Sequence, residues 1–191
     1  KNISLLGSKG SGKTTLAEAM LYECGVIKRR GTVEAKTTTC DYFPVEKEYG
    51  YSVFSTVFYA EFLNKKLNVI DCPGSDDFVG NAVTALNVTD TGVILIDGQY
   101  GVEVGTQNIF RTCEQLKKPI IFAINQLDGE KADFDNSLLQ LKEHYGSKVV
   151  PIQFPINCGP SFNSMIDVLL MKQYTWGPDG GVPTITEIPE E

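Results

Sequence analysis

The sequence predicts an α/β fold, a mostly parallel sheet with helices on both faces. Two observations carry the prediction. Short apolar runs recur along the chain with helix-like stretches between them. Two of those runs, 92–97 (GVILID) and 119–125 (PIIFAIN), are continuously apolar, as expected of strands covered on both faces.

The elements follow in order. Residues 3–6 read as a buried strand that ends in a Gly-rich turn, and 13–24 have helical spacing. Residues 51–62 alternate enough for an edge-type strand. Asn64-Lys65-Lys66 then turns the chain into a strand at 67–71. Helices are expected at 104–116 and 132–145, on either side of the second continuous run. Beyond Pro155 a short helix is expected at 162–171. The acidic end, Glu187-Ile188-Pro189-Glu190-Glu191, offers no closing element. The domain reading is 1–158 for the main domain and 159–191 for the start of a second unit that is cut short.

Composition bounds the function. The chain has 191 residues, a net charge of −7 and 42% hydrophobic residues, which suits one domain with part of another. Acidity speaks against sequence-specific nucleic-acid binding driven by this chain's own charge. Five cysteines at wide spacing, with no Cys-x-x-Cys pair and one histidine, argue against zinc. Free thiols in a reducing cytoplasm are the economical reading. No run of about 18 apolar residues is present to span a membrane. The chain opens on Lys1-Asn2, not methionine, and is expected to be a trimmed piece.

Gly7-Ser8-Lys9-Gly10-Ser11-Gly12-Lys13-Thr14 fits G-x-x-x-x-G-K-[ST] between a predicted strand and a predicted helix. Glycines let consecutive backbone N–H groups face one anion, and the helix N-terminus adds partial positive charge. Lys13 is expected to reach the β- and γ-phosphates, Thr14 to hold Mg²⁺, and Thr15 to lie at the same helix start. This is the pattern of a P-loop NTPase. Local charge agrees: residues 1–31 hold six basic and two acidic side chains on a chain that is acidic overall. Lys28-Arg29-Arg30 alone reads as a solvated loop.

A phosphate loop does not choose between ATP and GTP. Asp71-Cys72-Pro73-Gly74 fits D-x-x-G at a strand end, where the carboxylate approaches Mg²⁺ through water and the Gly74 N–H senses the γ-phosphate. Asn125-Gln126-Leu127-Asp128 is one residue away from N-K-x-D. An aspartate there accepts from guanine N1–H and N2–H, a donor pair that adenine lacks. Alone it also reads as a polar loop; in order behind the other two motifs it reads as the base reader.

With these motifs the chain resembles the N-terminal part of elongation factor G, in the translational GTPase family. Asp41-Tyr42-Phe43-Pro44-Val45-Glu46-Lys47-Glu48-Tyr49-Gly50-Tyr51-Ser52 sits where that family has D-W-M-E-x-E-x-E-R-G-I-T. Asp71-Cys72-Pro73-Gly74-Ser75-Asp76-Asp77-Phe78 sits where it has D-T-P-G-H-x-D-F. The stretches Val150-Pro151-Ile152-Gln153-Phe154-Pro155-Ile156 and 162–174 resemble the exit from the G domain and the entry to the insertion that marks factor G. The resemblance implies GTP/GDP and Mg²⁺ as ligands, with Thr14, Ser52 and Asp71 on the metal side, Asp71 through water. It also implies the ribosome as partner through a longer protein, a cytoplasmic location and a monomer. The family's last guanine loop has no counterpart here, so the chain is expected to be a G-domain fragment.

Departures from the family gather where hydrolysis occurs. Ser75 replaces the histidine that orients the attacking water, and serine is too short and too weakly basic to substitute directly. Ser52 replaces the switch threonine but keeps a hydroxyl. Tyr49 replaces an arginine, Gly10 an acidic residue, Cys72 a threonine and Gln126 a lysine. The catalytic positions are therefore Lys13, intact, and Ser75, degenerate. Phosphate-holding residues persist while phosphate-splitting ones change, so hydrolysis is expected to be slow, by a factor on the order of 10³–10⁵. Three functions stay in view: a factor-G paralogue, a ribosome-binding module gated by GTP, and a ribosomal-protection factor of the same superfamily. His144 reads as a solvated helix-end residue, Cys72 as a small buried filler and Phe54 as a strand residue. The aromatics Tyr42, Phe43, Tyr49 and Tyr51 read as a docking face or a self-packed one.

Overall fold

A computed structural model of the chain describes residues 1–178 and 180–188. The acidic end at 189–191, and Asp179 of the Gly-rich stretch before it, lie outside the described residues. The chain forms two compact units. One comprises Lys1–Ile96 with Glu103–Asn125; the other comprises Asp97–Val102 with the chain from Gln126 onward.

The first unit holds a five-stranded sheet. Its strands are β1 (Asn2–Gly7), β2 (Thr56–Phe62), β3 (Lys65–Asp71), β4 (Thr91–Asp97) and β5 (Ile120–Asn125), in the order β2-β3-β1-β4-β5. β1 pairs parallel with β3 and with β4; β2 pairs antiparallel with β3. The predicted α/β class is thus the observed one. Helices α1 (Lys13–Glu23), α3 (Val79–Val88) and α4 (Val104–Gln115) cover the sheet, and a short α2 (Pro44–Tyr49) lies in the connection from α1 to β2.

Alternation along the strands explains the two covered faces. Leu5 and Leu95 pack with Ala17 and Leu21 of α1. Their neighbours Leu6 and Ile94 point the other way, onto Ala82, Ala85 and Leu86 of α3. Each of these leucines is 2% exposed or less, a burial that stabilises by about 1.5–3 kcal/mol per side chain. This rigid sheet brings the ends of β1 and β3 side by side, with Leu5 in register with Asp71.

Several boundaries differ from the sequence reading. The edge strand starts at Thr56 rather than Tyr51, so Phe54 precedes it. The hairpin turn is Leu63-Asn64, both at positive φ as a type I′ turn requires, and Lys65 and Lys66 belong to β3. The strongest correction concerns 162–171, expected as a helix. It contains β7 (Ser164–Asp167) and a turn instead. Asp167 accepts from the backbone N–H groups of both Leu169 and Leu170 at 2.9 Å, and Met171 takes a positive φ, which closes a hairpin. The Asp167 carboxyl is held below its usual range, chiefly by the Gln153 amide and further by these N–H groups.

That hairpin belongs to the second unit. Its four-stranded antiparallel sheet has the order β6-β7-β8-β9, with β6 at Gln153–Pro155, β8 at Lys172–Gly177 and β9 at Gly180–Glu187. Its helix, α5 (Phe134–Tyr145), starts at Asp133, whose side chain accepts from Asn136 N–H at 2.9 Å, and carries His144 in its last turn. No helix among the described residues is long and apolar enough to cross a membrane.

Candidate nucleotide site

The loop from Gly7 to Thr14 joins β1 to α1, as the motif requires. Gly7 has φ +135°, and a Cβ there would lie 2.4 Å from the Leu95 carbonyl oxygen, so no side chain is tolerated at the first turn. α1 begins after Gly12 with no side-chain cap, which leaves its first-turn N–H groups available to an anion. Lys9 and Gly10 are exposed along the loop, as is Thr15 in the helix's first turn. Ser11 is buried, and the Ser8 hydroxyl is a buried polar atom without a hydrogen-bond partner among the described residues.

Lys13 is 6% exposed. Its Nζ donates to the Gly7 carbonyl at 3.0 Å, the Ser8 carbonyl at 2.8 Å and Ser11 Oγ at 3.4 Å. Burial lowers the ammonium below its ordinary range, against the pull of Asp71. Gly74 abuts the same place. A Cβ on Gly74 would lie 2.4 Å from Lys13 Nζ and 2.8 Å from the Lys9 nitrogen, so the D-x-x-G glycine is needed for close approach to the phosphate loop. Asn125 donates from Nδ2 to the Ser11 carbonyl at 2.9 Å, tying the end of β5 to the loop.

The three residues expected on the metal side meet. Thr14 Oγ1 donates to Asp71 Oδ2 at 2.9 Å and lies 3.1 Å from Ser52 Oγ. Neighbouring oxygens around an octahedral Mg²⁺ with bonds of 2.0–2.1 Å are separated by about 2.9 Å. The two hydroxyls therefore fit adjacent ligand positions. Asp71 is 2% exposed, and its Oδ1 is buried with no hydrogen-bond partner among the described residues. Burial pushes its carboxyl up to about 7, opposed by the Thr14 hydroxyl and the Lys13 ammonium. A cation nearby favours the ionised form. The donor set of two hydroxyls and one carboxylate is the hard-oxygen chemistry that Mg²⁺ takes.

Cys72 and Pro73 are buried behind this cluster. Cys72 is fully buried, donates weakly from Sγ to the Ile70 carbonyl at 3.8 Å, and has its thiol pushed up to about 12 by burial. It is an inert filler. Ser75 is only partly buried, and its hydroxyl bonds to Asp77 Oδ2 at 3.4 Å. It joins none of the Lys13, Thr14, Ser52 or Asp71 bonds.

Gln126, Leu127 and Asp128 begin the longer of the second unit's two segments. Gln126 has φ +57°, and Gly129 N–H donates back to its carbonyl at 3.2 Å, forming a tight loop. Leu127 is buried, and its carbonyl accepts from Gly159 N–H at 2.8 Å; Asp128 is exposed. Gln99 closes on the same loop, since a Cβ on Gly129 would lie 2.8 Å from its Nε2. Neither Gln99 nor Gly159 carries a sequence signal for this role, because both reach the loop only through folding.

The connection from α1 to β2 is held by side-chain contacts. Phe43 packs tilted against Tyr42 and Phe54, with ring centroids 4.4 Å and 4.9 Å apart, and Lys9 Nζ sits 3.8 Å above the Tyr51 ring. The aromatic stretch packs on itself, and Phe54 packs there rather than in a strand. Glu18 of α1 and Asp41 and Glu46 of the connection are buried acids to which the sequence reading assigned no role.

Comparison with known proteins agrees with the α/β fold. Residues 1–185 match the family described as elongation factor Tu GTP binding domain. The chain is 35% identical over 179 residues to an elongation factor G-like protein of Thermotoga maritima, covering 94% of this chain and 26% of that protein. It is 33% identical to an elongation factor G of Mycoplasma genitalium, over 91% of this chain and 25% of that protein. A crystal structure of a Thermus thermophilus protein superposes with a TM-score of 0.91 at 34% identity, over 99% of this chain and 28% of that one. The chain thus spans about a quarter of the length of each of these relatives.

Proposed function

This chain belongs to the family of elongation factor Tu GTP-binding domains, and from that premise we propose that it is the nucleotide switch of an elongation factor G-like protein acting in ribosomal translocation. The observation that carries the reading is the meeting of Thr14, Ser52 and Asp71 beside the Lys13 loop. In this reading residues 1–158 act as the G domain and 159–191 begin the factor-G insertion. The protein works in the cytoplasm as a monomer, and its ribosomal contacts lie largely in parts beyond this chain.

The roles divide among residues. The loop N–H groups and Lys13 hold the polyphosphate, and Gly74 N–H faces the γ-phosphate. Asp128 accepts from the guanine edge, and its neighbour Gln126 supplies no charge there. Thr14 and Ser52 would ligate Mg²⁺, with Asp71 behind a water; the bound cation neutralises phosphate charge. Ser75 has neither the reach nor the basicity to orient water. Hydrolysis is therefore slow. Serine at position 75 supports the second reading as well, a GTP-gated ribosome-binding or ribosomal-protection module without significant catalysis.

The experiment is titration of the full-length protein with GTP and ATP side by side, with Mg²⁺ present. Selective GTP binding supports the proposal. ATP binding without GTP binding overturns it.

A further inference from the structure

We propose that Glu46 is a positioning residue for Ser52, holding the switch segment so that the Ser52 hydroxyl faces Thr14. The inference rests on the reading of Ser52 as a cation-side hydroxyl. Thirty-two residues separate α1 from β2, and among them only α2 is helical, for six residues. Something other than regular structure must bring Ser52 to its place.

Glu46 does this with one carboxylate. It is 1% exposed although most of its helix is solvent-facing. Its Oε2 accepts from Phe43 N–H at 3.2 Å, at the start of α2. Its Oε1 accepts from Val53 N–H at 3.0 Å and Phe54 N–H at 3.1 Å, the two amides directly after Ser52. One side chain therefore joins the start of the helix to the backbone on which Ser52 sits. Asp41 complements it by fixing the rotor: Ser52 Oγ donates to Asp41 Oδ1 at 2.6 Å. Further upstream, Glu18 of α1 accepts from Gly31 N–H at 3.0 Å and from Thr39 N–H, anchoring the segment's first half. The Phe43–Phe54 ring contact brackets the Glu46 bonds. A glutamine at 46 would keep the shape but turn one acceptor oxygen into an NH₂ group facing N–H donors.

The claim separates positioning from mere stability. Glu46→Gln is expected to weaken binding of a non-hydrolysable GTP analogue with Mg²⁺ by about tenfold to a hundredfold more than it weakens GDP, the scale of hydrogen bonds to charged groups. In a Ser52→Ala background, Glu46→Gln should change the GTP-to-GDP ratio no further, because the positioned group is already gone. Glu48→Gln, at an exposed neighbouring site, should behave as the native protein. If Glu46→Gln fails to fold, Glu46→Asp retracts the carboxylate by one methylene and carries the same test. Equal losses for both nucleotides, or full additivity with Ser52→Ala, would overturn the proposal. Should the native protein bind no guanine nucleotide, the functional reading fails separately. Amide exchange over residues 51–54 then decides: faster exchange in Glu46→Gln supports the positioning role, and unchanged exchange refutes it.

Discussion

Asp71 and Ser75 are four residues apart on the segment that leaves β3, and their surroundings differ in kind. Asp71 is buried, bonded to Thr14 and next to the Lys13 ammonium. Ser75 is partly exposed and bonded to Asp77, outside that network. In the proposed reading the first place holds phosphate and cation, and there Thr14 donates to Asp71 while its hydroxyl lies 3.1 Å from that of Ser52. In the same reading the second is where a water-orienting group would act, and it carries a short hydroxyl. In that reading, holding and splitting phosphate would rest on different residues of one segment, so one could be kept while the other is lost.

The largest expected effect falls on the holding side. Lys13→Ala should lower affinity for both GTP and GDP by at least about a hundredfold, as charge-assisted bonds to phosphate are lost; isothermal titration reads it. An unchanged affinity would break the contrast at its stronger end.

Asp128→Asn tests base choice. It should shift preference from guanine toward xanthine nucleotides by on the order of a hundredfold, since an amide donor matches xanthine's second carbonyl. Competition between GTP and XTP checks this.

Gly74→Ala should cost about 1–3 kcal/mol of stability, because its Cβ meets the Lys9 backbone and Lys13 Nζ. It should also weaken a GTP analogue about tenfold relative to GDP. Denaturant unfolding and titration together separate the two effects.

The smallest effect lies away from the contrast. Asp133→Ala removes the cap of α5 and should cost about 1 kcal/mol in unfolding experiments, with nucleotide affinity for the phosphate portion unchanged. A large affinity change there would mean the loop and the helix start are more tightly linked than the bonds indicate.

What the sequence made legible was local. The phosphate loop announces itself because its glycines, lysine and threonine lie within eight residues. Strands β1, β4 and β5 are apolar runs that need no partner to be recognised. Helix α3 was hidden by Gly80 and several β-branched residues, which weaken its helical signature. The stretch 162–171 misled because its apolar spacing fits a helix, while the turn chemistry of Asp167 and pairing with β6 and β8 made it a strand. In the site, Lys13, Thr14 and Asp71 were legible as motifs, and their meeting with Ser52 followed from the resemblance. Glu18 and Gln99 were not, since the backbone that Glu18 captures and the loop that Gln99 meets come near only in the folded chain; Glu46 stands in the quoted switch stretch, which shows nothing of the amides it binds.

The most direct test of the central claim is ribosome-stimulated GTP turnover by the full-length protein, measured with its GTP affinity under the same conditions. The account predicts clear GTP binding with turnover slower than that of an ordinary elongation factor G by a factor on the order of 10³ or more, and a gain of turnover in Ser75→His. Turnover equal to an ordinary factor G, with Ser75 in place, would contradict it.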